Sequence, residues 1–168
     1  MILESKRLYL RKLEAGDLDP LAGMYADEEV MRFIGNGKTI TRANTELSIG
    51  RWNEYETKHG FANWAVIRKE DSAFIGKCGF SHLPDNSDIE ISYMLDEPYW
   101  GNGYASEIAG ETLEYGFEKL GLKRIAALVY PQNSPSVKVL EKIGMKYEKE
   151  AEYWGAKLLM YSKEKYKS

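Results

Sequence analysis

Cysteine and histidine are scarce in this sequence of 168 residues, with one cysteine, Cys78, and two histidines, His59 and His82. A lone cysteine excludes an intrachain disulfide and any multi-cysteine zinc site. Two histidines leave little from which to build a histidine metal centre, so no metal is expected. Positive charge is also in short supply: 23 Lys and Arg stand against 26 Asp and Glu, for a net charge of −3. Broad nucleic-acid binding needs a concentrated basic surface, and this balance speaks against it. No apolar run approaches the roughly 20 residues that span a bilayer, so no membrane partner is expected. The start (residues 1–8) is mixed and charged, unlike a secretory leader. Linkers, repeats and low-complexity stretches are missing too. What is present is 43% hydrophobic and 29% charged, a globular composition. A chain of this length buries roughly 70% of its unfolded surface. The expectation is one reduced, cytoplasmic domain spanning residues 1–168.

Periodicity predicts the elements. Residues 7–13 alternate apolar and polar, as a strand with one buried face does. Asp17 opens a short helical stretch, and Gly35-Asn36-Gly37 marks a turn. Thr41 caps a second helix running to about Lys58. Strands follow at 63–68, 74–80 and 88–95. The most regular segment is 105–120, where Ala105, Ile108, Ala109, Thr112, Leu113, Gly116, Phe117 and Leu120 line one face of a helix. Gly121 ends it. A strand at 124–130 comes next. A helix then starts with Ser134 as its cap and Pro135 at its first position, where a missing N–H costs nothing. It stops at Gly144, and a hairpin over 145–153 and 157–166 closes the chain. This order predicts an α+β fold: a mixed, mostly antiparallel sheet of about seven strands with helices on both faces.

The sharpest local signal is Trp100-Gly101-Asn102-Gly103-Tyr104-Ala105-Ser106, between a strand and the long helix. Glycines let the backbone turn sharply and approach a ligand. Unpaired N–H groups at the helix start converge on one spot, and the helix dipole favours an anion there. That chemistry suits a phosphate or pyrophosphate. A dinucleotide fingerprint would want a third glycine at Ser106, and a P-loop would want Gly-Lys-Ser/Thr, so neither applies. The bland alternative is a Gly-rich turn entering a helix.

The stretch 89–148 resembles the GNAT superfamily of N-acetyltransferases, and within it the RimJ/RimL-type branch. Its pyrophosphate loop, Arg/Gln-x-x-Gly-x-Gly/Ala, is matched by Trp100-Gly101-Asn102-Gly103-Tyr104-Ala105, with Trp100 replacing the first Arg/Gln. Further matches are Glu90-Ile91-Ser92-Tyr93, Leu122-Lys123-Arg124-Ile125, Asn133-x-x-Ser136 and Leu140-Glu141-Lys142-Ile143-Gly144. Upstream, Arg7–Arg11, Trp64–Ile67 and Phe74–Gly76 also fit, so the resemblance covers nearly the whole chain. It implies the acyl-CoA N-acyltransferase fold, with acetyl-CoA as cosubstrate and an amine as acceptor. In such folds the strand before the loop and the strand after the helix splay apart around the pantetheine arm. Carried over, Met94 and Leu95 offer backbone groups to pantetheine. Trp100, Gly101, Asn102, Gly103, Tyr104, Ala105 and Ser106 hold the pyrophosphate, and Asn133 contacts the cosubstrate across the gap.

Acetyl transfer to an amine makes physical demands. A lysine-like amine with pKa near 10.4 is charged at neutral pH, and removing its proton costs roughly 4–5 kcal/mol. An α-amino group near 8 costs only about 1 kcal/mol. The site therefore needs a base or water path, an N–H donor for the oxyanion and something to receive the thiolate's charge. Glu90 is the candidate base. It is a carboxylate among isoleucines on a strand, on the face shared with Ser92 and Met94. A charge at the solvent edge is its bland alternative. A Glu90→Gln change is expected to lower the rate most at low pH. Glu152 in the tail hairpin is the rival base, although Glu148, Glu150 and Glu152 at alternate positions read more simply as a solvated strand face. Ser136 is the candidate for the thiolate end by resemblance. The tyrosine that many superfamily members carry on this helix is absent, since Val139-Leu140 stands before Glu141-Lys142. The oxyanion donor is expected from a backbone N–H near Met94 or Leu95.

His59 and His82 read as exposed loop residues, and Cys78 as buried and inert. The tryptophans read as packing, with Trp154 at a hairpin tip able to line an acceptor pocket. Lys163, Lys165 and Lys167 read as a solvated tail. A non-catalytic acyl-CoA-binding or interaction domain is the rival function. The acceptor and the oligomeric state, a homodimer included, stay open at this level.

Overall fold

The computed structural model describes residues 1–166, and among these eight strands form one continuous sheet, in the order β1-β2-β3-β4-β5-β6-β8-β7. The strands are β1 (Leu3–Glu4), β2 (Leu8–Arg11), β3 (Asn63–Arg68), β4 (Ala73–His82), β5 (Ile89–Leu95), β6 (Arg124–Val129), β7 (Lys146–Tyr153) and β8 (Ala156–Glu164). The helices are α1 (Leu18–Ala26), α2 (Glu28–Met31), α3 (Arg42–His59), α4 (Tyr104–Glu118) and α5 (Ser134–Lys142). Seven strands fall where periodicity puts them. The eighth, β1, has two residues, too few for alternation to register. The four-residue α2 is likewise too short to show a helical period; Asp27 caps it, accepting from the Glu29 and Val30 amides.

Every adjacent strand pair is antiparallel except β5 and β6. One face of the sheet carries Val66, Cys78, Phe80, Ile91 and Ile125 against Ile108, Leu113 and Phe117 of α4 and Leu140 of α5. The other carries Ala65, Ile67 and Met94 against Leu21, Met24 and Tyr25 of α1 and Ile49 of α3. This two-faced burial makes β5 alternate. Ile91 and Leu95 face α4, whereas Met94 faces the N-terminal helices.

Several local expectations shift. The cap of α5 is Asn133, whose side-chain oxygen accepts from the Ser136 amide at 3.4 Å; Ser134 is the first helical residue. Asp17 precedes α1, but its carboxylate accepts from the Glu14 amide and from both terminal nitrogens of Arg11 at 2.8 Å, so it tethers the turn to β2 and closes the capping box of the short 3-10 turn Ala15–Asp17, while making no cap bond to α1. His82 is not an exposed loop residue. It ends β4 half-buried, with its Nδ1 hydrogen-bonded to the Tyr55 hydroxyl. His59 is exposed, in the last turn of α3. Lys163 belongs to β8 and pairs with Glu114; Lys167 lies outside the described residues. Cys78 is fully buried, its thiol pushed up to about 12 by burial, with its sulfur against the Thr112 hydroxyl. No described helix is long and apolar enough to cross a membrane.

Candidate active site

β5 and β6 run parallel with a single paired position, Glu90 opposite Ala126. Beyond that point β5 stays zipped to β4 as far as Leu95, and β6 stays zipped to β8 as far as Val129. The strands therefore separate toward their C-terminal ends and leave a wedge. A cavity of about 670 Å³ occupies it and extends to both faces of the sheet.

The glycine loop stands at the open end. Gly101 and Gly103 have φ of +76° and +77°, backbone states that only glycine adopts without strain. Gly103 is the N-cap of α4 and offers no side-chain cap, so the first-turn amides keep their hydrogen-bonding capacity for a ligand. The first helical bond shown at this end is Glu107 N–H to Gly103 O. Such an uncapped, positively polarised start fits a pyrophosphate.

The loop is braced from the N-terminus. The Arg7 guanidinium donates to the Asn102 carbonyl at 3.0 Å and to Glu107 at 2.7 Å, and lies 4.3 Å above the Tyr104 ring. Glu107 also accepts from the Arg7 amide and the Ser5 hydroxyl. The Trp100 indole donates to the Leu95 carbonyl at 2.8 Å, tying the loop to the end of β5. Arg7→Ala is expected to raise the KM for acetyl-CoA about three- to ten-fold, the size of one lost hydrogen bond, with kcat nearly kept. Steady-state kinetics at saturating amine check it.

Eleven of the twelve residues proposed from sequence line this cavity: Glu90, Met94, Leu95, Trp100, Gly101, Gly103, Tyr104, Ala105, Ser106, Asn133 and Ser136. Asn102 does not. Its side chain donates to the Tyr99 and Trp100 carbonyls and its own carbonyl accepts Arg7, so it shapes the loop from behind. Glu152 is exposed on β7 opposite Lys157 and lines no part of the cavity. Trp154, at the hairpin tip, does line it. So does Tyr130, whose hydroxyl donates to the Gly35 carbonyl at 2.6 Å and closes the roof beside Phe33.

Glu90 keeps some access to the cavity but is crowded by protein. Burial pushes its carboxyl up to about 7, against a weaker downward pull from a Ser81 hydrogen bond. A carboxyl poised there exchanges protons near neutrality. Ser136 stands on the other face, in the first turn of α5. Its hydroxyl is 2.7 Å from the Tyr93 hydroxyl. Tyr93, which the sequence offers only within the Glu90-Ile91-Ser92-Tyr93 match, also lines the cavity. Its hydroxyl is pushed up to about 12, chiefly by burial, so it stays protonated at working pH. This contact between a strand tyrosine and Ser136 is visible only in the packed molecule. The wedge connects the Glu90 carboxyl on one face with the Tyr93–Ser136 hydroxyl pair on the other.

Residues 7–146 match the family described as the acetyltransferase (GNAT) domain. The chain belongs to the GNAT family of acetyltransferases. A relative named uncharacterized N-acetyltransferase p20, from Bacillus licheniformis, is 34% identical, over 87% of this chain and 83% of its own length. Among solved structures, a GNAT-family acetyltransferase from Bacillus anthracis superposes with a TM-score of 0.85 at 27% identity, covering 98% of this chain and 99% of its own. RimL, a ribosomal L7/L12 α-N-protein acetyltransferase solved with coenzyme A, shares the GNAT fold with a TM-score of 0.82 at 18% identity, covering 97% of each chain. The RimJ/RimL-type enzymes are thus among the fold's neighbours, and acetyl-CoA is the family's acetyl donor.

Proposed function

We propose that this GNAT chain transfers the acetyl group of acetyl-CoA directly to a primary amine, with Glu90 as base and Ser136 at the leaving group. The observation that carries this reading is the single cavity that joins the uncapped start of α4, the β5–β6 wedge, Glu90 and Ser136. Amides from Gly101 to Ser106 hold the pyrophosphate, and the pantetheine arm runs along β5 with Asn133 on the far side. Because the Leu95 carbonyl already accepts from Trp100 and Met94 is paired to Lys77 of β4, the backbone left for the cosubstrate at that end is the Leu95 amide and the groups of Tyr93.

The amine enters from the face of Glu90. Its nitrogen attacks the thioester carbonyl, a C–N bond forms, and its proton passes to Glu90 directly or through one water. The carbonyl electron pair becomes an oxyanion, which a β5 amide near Met94 or Leu95 stabilises. On collapse the C–S bond breaks and its electron pair stays on sulfur. Ser136, hydrogen-bonded to Tyr93, donates to that sulfur from the opposite face.

Free-thiol release from acetyl-CoA, measured against a panel of primary amines, tests the reading. Amine-dependent thiol release with one acetyl amide per thiol supports it. Tight acetyl-CoA binding with no amine-dependent release from any acceptor favours the non-catalytic binding domain instead.

A further inference from the structure

The sheet face beneath α1–α3 is not uniformly apolar. Asn63 on β3, Lys77 and Ser81 on β4, and Glu90 and Ser92 on β5 form a polar strip, and all five line the cavity. Among the described residues, Asn63 has a buried amide nitrogen without a partner, and Lys77 has no counter-ion.

Lys77 is only 8% exposed. Among the described residues it forms no ion pair, although the cavity wall holds two carboxylates, Glu29 and Glu90. Its ammonium lies 4.9 Å from the centre of the Tyr25 ring and 5.4 Å from that of Trp52. Aromatic faces hold a cation in place but leave its charge uncancelled. The stem is buried while the residue lines the cavity, so an uncancelled cation stands where an anionic group of a bound molecule can reach it.

Asn63 is 5% exposed. Its side-chain oxygen accepts from the Ser92 hydroxyl at 3.3 Å, and its amide nitrogen has no partner. This bond crosses β4 above Gly79, the residue paired with both Asn63 and Ser92. Whichever way the amide is turned, one of its polar atoms lacks a protein partner. Because Ala65 is opposite Lys77 and Asn63 opposite Gly79, Asn63 and Lys77 are diagonal neighbours, with Cα atoms about 7–8 Å apart.

We propose that the acceptor amine also carries a carboxylate, which docks on Lys77 with Asn63 beside it. This rests on the transferase reading above and deepens it to a substrate class. The wall is dipolar. Glu90 lies four β5 positions from Met94, the residue paired with Lys77, or about 14 Å along the strand. A long ω-amino acid or a short peptide presents a dipole of that reach, with its amine toward Glu90 and its acid toward Lys77. A carboxylate's two oxygens can accept from the ammonium and from the amide together. A diamine would set a second cation against Lys77 and is selected against.

The test uses the purified protein with acetyl-CoA and reads thiol release. The acceptors are α- and ω-amino acids of graded length, their neutral carboxamides and the corresponding diamines. The best amino acid is expected to exceed its own carboxamide by about 10- to 100-fold in kcat/KM, the range of a charge-assisted hydrogen bond. Lys77→Met, checked for folding by thermal melt, is expected to collapse that ratio toward one. Asn63→Asp, nearly isosteric, sets a negative charge on the same spot and shifts preference toward the diamine, so the inference stays testable even where Lys77→Met fails to fold. Equal or better turnover of carboxamides and diamines by the unaltered protein would overturn the inference and leave the transferase reading standing. No turnover of any amine by protein that binds acetyl-CoA would overturn both.

Discussion

Glu90→Gln is expected to lower turnover by at least about 100-fold at pH values above roughly 7, and at the same pH to make the protein more stable. Both effects follow from one carboxyl held at about 7 by burial. As a base, Glu90 works only when ionised, so the rate of the unaltered enzyme should climb through about pH 7 and level off. The variant should lack that inflection. Sequence alone suggested the greatest loss at low pH, and the buried setting reverses this. Below about 7 the native side chain is itself protonated, and a neutral carboxylic acid resembles glutamine.

The stability effect has a definite sign. The folded-state value lies above the ordinary carboxylate value of 4.5, so the folded chain binds this proton more tightly than the unfolded chain does. Stability therefore erodes as pH rises from about 4.5 to about 7, and the full penalty, up to about 3 kcal/mol, persists above it. Glutamine never ionises and escapes the penalty. For a chain this size that amounts to a rise of about 5–10 °C in Tm at high pH, closing as the pH falls toward about 4. Thermal melts and pH–rate profiles of the two proteins decide it. Matching melts at high pH would remove the buried carboxylate, and superimposable pH–rate profiles would remove the base.

Glu90 was legible in the sequence because β5 alternates so cleanly: a carboxylate between Ile89 and Ile91 stands out on a strand buried on both faces. The glycine loop was legible for a similar reason, since two positive-φ positions ahead of a strongly amphipathic helix leave few structural options. The wedge was not legible from periodicity. β5 and β6 each read as ordinary strands, and nothing local says that they pair only at Glu90 and Ala126; the family resemblance supplied the expectation that they splay apart, not the position. Lys77 and Asn63 were invisible for a different reason. Each sits within a strand pattern that tolerates an occasional polar residue, and their lack of partners is a property of the packed molecule. Ser134 was mistaken for the α5 cap because serine and asparagine are nearly equal caps, and local sequence does not say which one leaves the helix.

Ser136→Ala is expected to lower kcat by about 10- to 100-fold with little change in the KM for acetyl-CoA, and Tyr93→Phe to lower it by about ten-fold. The two losses should not multiply. On the proposed mechanism Tyr93 acts through Ser136, since its hydroxyl lies 2.7 Å from the Ser136 Oγ and 3.3 Å from the same residue's carbonyl. Once Ser136 is alanine, Tyr93 has no hydroxyl left to orient, so the double variant should match Ser136→Ala alone. The pH dependence separates this from damage to packing. A simple thiol has a pKa of about 8.5, so well above that value the departing thiolate needs little help, and both single-variant deficits should shrink as pH rises. Tyr93 itself, held near 12, stays neutral over that range and adds no inflection of its own. A purely structural tyrosine would give a lower Tm with a pH-independent deficit that multiplies with that of Ser136→Ala. That outcome would confine Tyr93 to the core and leave the sulfur to Ser136 alone.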